Sequence, residues 1–284
     1  MAASLIETYR GDVEAWECDV FGHMNIAFYG ERFGDASASL LHRVAPGRAW
    51  RTVSLFTRYL KELRAGESIS IRSAVIGTSL GAKKEKIVRL GHELLTSDGT
   101  VTTQAEHALT PRDFTMRGGL KTKLEAAATP WQAEGFAALN LPKEHGATPT
   151  MRDRVKSWEL DEHGQLSLFG HVRRCSTSSA HLLMALGMTA DYIHQEKRGF
   201  ATFETRLALS AWQPGAGLEV AAGSGLLELG RSSVKMVHDL IAVKDGERVA
   251  RCYQAGVHFD LEKRRSTPIP DALRAKAATL VMAR

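Results

Sequence analysis

Cysteine, proline and aromatic residues are all sparse in this chain of 284 residues, which carries 3 Cys, 8 Pro and 7% Phe, Trp and Tyr. Cys18, Cys175 and Cys252 are odd in number and far apart. They supply neither a disulfide framework nor a CxxC metal knuckle, so a reducing compartment fits. So little proline, beside 44% hydrophobic and 24% charged residues, sets aside disordered, collagenous and low-complexity classes. No uncharged apolar run nears the roughly 18 to 20 residues that a bilayer span takes. Glu7 falls too early to leave room for the apolar centre of a secretory signal. A soluble, cytoplasmic protein is the expectation, with no membrane partner. Charge of one sign is lacking too: 37 Lys plus Arg face 32 Asp plus Glu, and the surplus is spread along the chain. That argues against a nucleic-acid partner and leaves room for a small anionic ligand.

What the chain does have is internal repetition, at a length that allows one large domain or two ordinary ones. Phe21-Gly22-His23 recurs as Phe169-Gly170-His171, Leu80-Gly81 as Leu229-Gly230, His92-Glu93-Leu94 as His238-Asp239-Leu240, and Asp98-Gly99 as Asp245-Gly246. The separations are 148, 149, 146 and 147 residues, in collinear order. After each FGH triplet comes a helical period: Ile26, Tyr29, Phe33, Ala36, Leu40 and Val44 in the first copy, and Ala180, Met184, Met188 and Tyr192 in the second. Four β-rich segments follow, at 53–60, 68–76, 86–95 and 101–110, then at 200–209, 218–227, 234–243 and 248–259, with turn signals between them. One strand, one helix and a run of antiparallel strands describe an α+β unit in which a sheet wraps a single central helix. The expected organisation is an N-terminal domain at 1–113, a linker at 114–150, a C-terminal domain at 151–265 and a C-terminal helix at 266–284. That last helix begins after Pro268 and Pro270.

The string D-x-x-G-H-x-N-x-x-x-Y, from Asp19 to Tyr29, resembles the active-site segment of hotdog-fold acyl-CoA thioesterases of the 4-hydroxybenzoyl-CoA type. The resemblance implies a tandem, or double, hotdog whose two copies pair as two subunits of a simpler homodimer would. It also implies hydrolysis of an acyl-CoA thioester to free acid and CoA, with coenzyme A present only as part of the substrate. Thioester hydrolysis needs a nucleophile or base, donors for the developing oxyanion and a dry slot for the acyl group. Asp19, placed at the end of the first strand, is the candidate nucleophile or general base. Backbone N–H groups around Asn25, Ile26 and Ala27, at a helix N-terminus, are the candidate oxyanion donors. Gly22 lets the chain turn sharply and approach the substrate. By resemblance, His23 and Asn25 orient the carboxylate, water or thioester, although a loop network with Asn25 as helix N-cap is the alternative. Tyr29 is core first and substrate wall second.

In this alignment Ser167 stands at the position of Asp19, Arg173 at Asn25 and Thr177 at Tyr29, and Asp161 and Glu162 lie too early to replace the acid, so the second motif is degenerate and one active site per chain is expected. By resemblance, the second copy then acts as the partner wall of that site. Ser176-Thr177-Ser178-Ser179 reads as a helix cap. His92 and His238 read as core or interface residues rather than ligands, and no spacing suggests a metal site. The CoA phosphates call for Lys or Arg near the site mouth. Lys84, with Lys83 and Lys86, in the first copy, Arg231 in the matching turn of the second and Arg173 and Arg174 beside the second motif are the candidates, a solvated charge run being the alternative for each. The rival readings are an acyl-carrier-protein thioesterase or a hydratase on the same fold, and a non-catalytic acyl-CoA binder. Exposed sheet edges leave a homodimer open.

Overall fold

The computed structural model describes residues 5–81, 85–113, 119–131, 148–278 and 280. The chain divides into two compact units, Met1–Ala137 and Ala138–Arg284. The first contains β1 (Ile6–Asp12), α1 (Ile26–Val44), β2 (Trp50–Tyr59), β3 (Ser68–Leu80), β4 (Lys86–Thr96), β5 (Val101–Pro111) and α2 (Leu120–Ala126). Its strands lie in the order β1-β3-β4-β5-β2, every described pair antiparallel. The second contains β6 (Thr148–Arg154), α3 (Leu168–Ala185), α4 (Ala190–Glu196), β7 (Arg198–Leu209), β8 (Glu219–Leu229), β9 (Ser233–Ala242), β10 (Arg248–Asp260), β11 (Arg265–Ser266) and α5 (Asp271–Ala277). Its order is β6-β8-β9-β10-β7, with β11 on β10. The α+β plan of sheet and central helix, expected twice, is present twice. No helix of the described residues is long and apolar enough to cross a membrane.

Alternation of apolar residues makes the strands one-sided, and the helical period makes α1 their filling. Ala27, Tyr29, Phe33, Ala36, Leu40 and Leu41 are buried on α1, which touches β1, β3, β4 and β5. Leu40 and Leu41 pack with Val75, Val88, Leu90 and Leu109. Leu124 of α2 completes that cluster, so this part of the expected linker belongs to the first core. In the second unit Leu182 and Leu183 of α3 pack with Leu226, Val234 and Met236, and Leu273 and Ala277 of α5 close the cluster. The first unit thus carries the short α2 on its core, and the second carries α5 together with Tyr192 of α4.

The repeat is real, but its register differs from the sequence alignment. Ser37 and Ser179, Leu40 and Leu182, and Leu41 and Leu183 are equivalent, an offset of 142 residues. After the helix, the bulge between Val75 and Gly77 on β3 matches the one between Leu226 and Glu228 on β8, an offset of 151. The inserted α4 lengthens the second unit there, and a shorter β8–β9 hairpin then brings His92 onto His238 at 146. Phe169-Gly170-His171 consequently lies inside α3 rather than before it. Ser176 to Ser179 lie inside α3 too, with Ser178 and Ser179 buried, and the cap is Ser167. Tyr192 sits on the separate α4.

Candidate active site

Asp19 is not at a strand end. β1 stops at Asp12, and a 3-10 turn at Ala15–Glu17 intervenes before the loop that carries Asp19. That turn is anchored by buried Glu17, whose Oε2 accepts the Glu14 N–H (3.1 Å) while Oε1 pairs with the Arg32 guanidinium of α1. The Glu17 carbonyl then accepts the Asn25 N–H at 2.8 Å, which sets where α1 begins. A carboxylate and a guanidinium buried together hold their geometry because separating them strands a charge.

Between these anchors the Asp19 loop closes on itself. The Asp19 N–H donates to the His23 carbonyl (2.8 Å), and the Gly22 N–H to the Asp19 carbonyl (2.9 Å). Asp19 Oδ1 accepts the N–H of Phe21 (2.8 Å) and of His23 (3.3 Å). Gly22 has φ +72°, a left-handed conformation that glycine adopts without penalty. The turn consumes Oδ1 and leaves Oδ2 without a hydrogen-bond partner among the described residues. Burial pushes the Asp19 carboxyl above the ordinary aspartate range, against the opposing pull of its two backbone donors. A half-buried carboxylate with one oxygen held and the other available is suited to act as nucleophile or base.

His23 turns its Nε2 to Glu62 Oε2 at 3.2 Å. Glu62 lies 39 residues further on, in the connection from β2 to β3, where no sequence spacing pointed to it. Asn25 is the N-cap of α1, its Oδ1 accepting the Ala27 N–H at 3.0 Å. With the Asn25 and Ala27 amides occupied, Ile26 N–H is the first-turn donor for which no acceptor is present among the described residues. Asp19, Gly22, His23, Asn25 and Ile26 are therefore gathered within one loop and helix start. Tyr29 follows one turn later, buried edge-on against Tyr59 (ring centroids 5.1 Å apart), and burial raises its hydroxyl pKa. Its place is in the core. Lys84 lies outside the described residues. Arg231 is exposed in the β8–β9 turn of the second unit.

The second unit rebuilds the same loop around a different residue from the one the alignment named. Asp161, not Ser167, is the counterpart of Asp19. Asp161 Oδ1 accepts the N–H of His163 and of Gln165 (2.9 Å each), and its own N–H donates to the Gln165 carbonyl (2.7 Å). Gly164 has φ +72°, Ser167 caps α3 as Asn25 caps α1, and the Cys18–Met24 bridge recurs as Leu160–Leu166. Glu17 and Arg32 recur as buried Glu159 and Arg174. The acid is kept; what is lost is the histidine, since Gln165 stands where His23 does, and Tyr29 is replaced by His171.

Comparison with known proteins places both units in one group. The model of the thioesterase-like superfamily matches residues 13–158 and again 155–277. An L-carnitine dehydrogenase/betainyl-CoA thioesterase from Agrobacterium fabrum is 31% identical over 111 residues, which is 37% of this chain and 22% of that protein. The chain thus matches only about a fifth of that relative's length. A solved structure described as an oleoyl thioesterase from Lactobacillus plantarum superposes with a TM-score of 0.67 at 13% identity, over 90% of this chain and 97% of the other. A 12:0-ACP thioesterase from Umbellularia californica does so with 0.62 at 10%, over 89% and 94%. At such identities these likenesses concern the fold, which is the tandem hotdog arrangement.

Proposed function

The chain belongs to the thioesterase-like superfamily, and from that premise we propose that it hydrolyses an acyl-CoA thioester to the free acid and coenzyme A at a single site in the first unit. Asp19 Oδ2 attacks the carbonyl carbon or takes a proton from the water that does. The carbonyl oxygen, as it gains charge, meets Ile26 N–H at the positive end of α1. One such donor is worth roughly 3 kcal/mol of transition-state stabilisation, about a hundredfold in rate. Collapse of the adduct breaks the C–S bond and releases the thiolate of CoA: with Asp19 as base the acid forms directly and the proton taken from water passes to the thiolate, whereas with Asp19 as nucleophile a water then hydrolyses the acyl–Asp19 anhydride to the free acid and the carboxylate, its proton going to the thiolate.

The observation that carries this reading is the Asp19 loop itself, which engages one carboxylate oxygen with backbone donors and leaves the other available beside the start of a helix. Restriction to one site rests on the second unit, which keeps Asp161 but has Gln165 in place of the histidine. With only three cysteines and no disulfide joining them, the reading places the chain in a reducing, cytoplasmic setting. Because the Agrobacterium relative is named a betainyl-CoA thioesterase, a small cationic acyl group belongs in the first substrate panel.

The test is free-thiol release from a panel of acyl-CoA esters, with an acyl-carrier-protein thioester in parallel. Asp19→Asn keeps the Oδ1 acceptor and hence the turn, and is expected to lower kcat about a thousandfold. Asp161→Asn is expected to leave kcat within twofold. Full activity in Asp19→Asn, or hydrolysis of none of the thioesters, refutes the proposal. Equal losses in both variants refute the single site.

A further inference from the structure

Glu62 lies outside the motif that identifies the site, yet the connection carrying it is fastened to the site's backbone. The Met24 N–H donates to the Leu63 carbonyl (2.8 Å), the Val13 N–H to the Glu67 carbonyl (3.0 Å) and the Gly66 N–H to the Val13 carbonyl (2.8 Å). Glu62 therefore stands beside the Asp19 loop because its neighbour in sequence is hydrogen-bonded to it. Its Oε2 reaches His23 Nε2 at 3.2 Å, the two side chains being 27% and 13% exposed. At that exposure water screens the pair only in part, and the carboxylate can fix the imidazole's orientation.

The second unit supplies an internal control. There the Leu166 N–H donates to the Pro214 carbonyl, the Val155 N–H to the Leu218 carbonyl and the Gly217 N–H to the Val155 carbonyl (2.9 Å each). Gly66 and Gly217 share φ near +80° (+86° and +81°). These contacts make Leu63 equivalent to Pro214, and so Glu62 to Gln213, just as His23 is equivalent to Gln165. Both members of the pair are therefore replaced by neutral glutamine in the same unit, although they sit 39 residues apart in the chain. Gln213 Oε1 faces His171 Nε2 instead, at 2.6 Å. The backbone fastening survives in the second unit without the acid, so the fold does not need Glu62; the histidine does.

We propose that Glu62 is a positioning residue for thioester hydrolysis in the first unit, acting through His23. It accepts the Nε2–H of the neutral ring, which leaves Nδ1 as the accepting nitrogen, and its charge stabilises the imidazolium whenever the ring is protonated. This rests on the reading of the Asp19 loop as the hydrolytic site. It adds the group that holds the histidine in its working orientation and distinguishes the complete copy from the incomplete one.

Two measurements test it. In steady-state kinetics, Glu62→Gln is expected to lower kcat about tenfold to a hundredfold with KM within twofold and an unchanged melting temperature. Glu62→Asp is expected to recover part of the loss. The double variant His23→Gln/Glu62→Gln, which writes the second unit's residues into the first, is expected to be no slower than His23→Gln alone, because the acid acts only through the ring. In nitrogen-15 spectra of histidine-labelled protein, the His23 ring is expected as a single Nε2–H tautomer in the wild type and as a mixture in Glu62→Gln. Wild-type kcat in Glu62→Gln, losses that multiply in the double variant, or a His23 signature indifferent to Glu62 each overturn the proposal. A wild-type protein that hydrolyses no thioester defeats the functional reading, while the nitrogen spectra still decide whether Glu62 holds the ring.

Discussion

Mild acid should destabilise this protein through histidines in its core, and the size of the effect follows from their burial. In the first unit, Ser37 Oγ on α1 lies 3.0 Å from His92 Nε2 and 2.6 Å from His107 Nδ1. His92 Nδ1 meets Ser73 Oγ (2.6 Å) and His107 Nε2 meets Thr52 Oγ1 (2.8 Å). In the second unit His238 lies between Ser179 and Ser224 (3.0 and 2.7 Å), and Gln254 takes the place of His107. Every partner of these rings is a hydroxyl, which satisfies a neutral imidazole but gives no compensating charge to a protonated one. Burial lowers His107 and His238 from 6.5 to about 3, and pushes His92 well below 6.5, helped by the neighbouring His107.

A histidine depressed in the folded state adds stability that is complete above 6.5 and is lost as the pH falls from 6.5 toward the folded value, because only the unfolded chain binds the proton. At pH 5 the loss is about 2 kcal/mol for each such residue, and it does not depend on how far below 5 the folded value lies. His107 and His238 together forfeit about 4 kcal/mol, and His92 adds in the same direction, against a total stability typically of about 5 to 15 kcal/mol. Urea denaturation followed by circular dichroism at half-unit steps from pH 7.5 to 4.5 reads this directly. The midpoint should fall steadily below pH 6.5. His107→Gln, which copies Gln254, should flatten the dependence by about 1.4 kcal/mol per pH unit. A midpoint constant down to pH 4.5, or an unchanged slope in His107→Gln, would refute the account of the core.

Two further outcomes follow from the same structure. Because burial raises the Asp19 carboxyl and only its ionised form can act, the acid limb of the kcat/KM profile should lie above the ordinary aspartate value of 3.8, and a limb at or below it would contradict the burial of Asp19. Arg174→Met leaves Glu159 buried with one guanidinium partner fewer; it should cost about 3 kcal/mol of stability, read as a drop in melting temperature, and a neutral result would mean that the pair is dispensable.

How much of the molecule was legible in the chain varies with the range of the forces involved. Strand and helix positions come from side-chain periodicity, a local property, and β2 to β5 and β7 to β10 lie where apolar alternation put them. The motif at Asp19 was legible because a tight turn and a helix cap draw on neighbours in sequence. The register between copies was not. A single offset near 147 residues treats the repeat as rigid, whereas the units differ by 142 before the helix and 151 after it, α4 having been inserted between. The later shortening of the β8–β9 hairpin returned the offset to 146, which made the coincidental triplet at Phe169 look collinear and put Asp161 too early to count as the acid. Hydrogen bonds to the loop backbone, rather than residue counting, identified the true counterpart.

By itself, then, the sequence determined the duplicated α+β plan, the apolar face of α1 and the loop whose glycine and N-cap hold Asp19, since each depends on residues a few positions apart; the face expected on the second helix was misplaced, Ala180 and Met184 being exposed while Leu182 and Leu183 enter the core. Only the tertiary structure decided that Asp19 is half-buried with one oxygen occupied, that Glu62 stands against His23, and that the second unit keeps its acid while losing its histidine. Those facts depend on which distant segments the β-sheet brings side by side, and that pairing is set by the summed packing of each unit rather than by any local pattern.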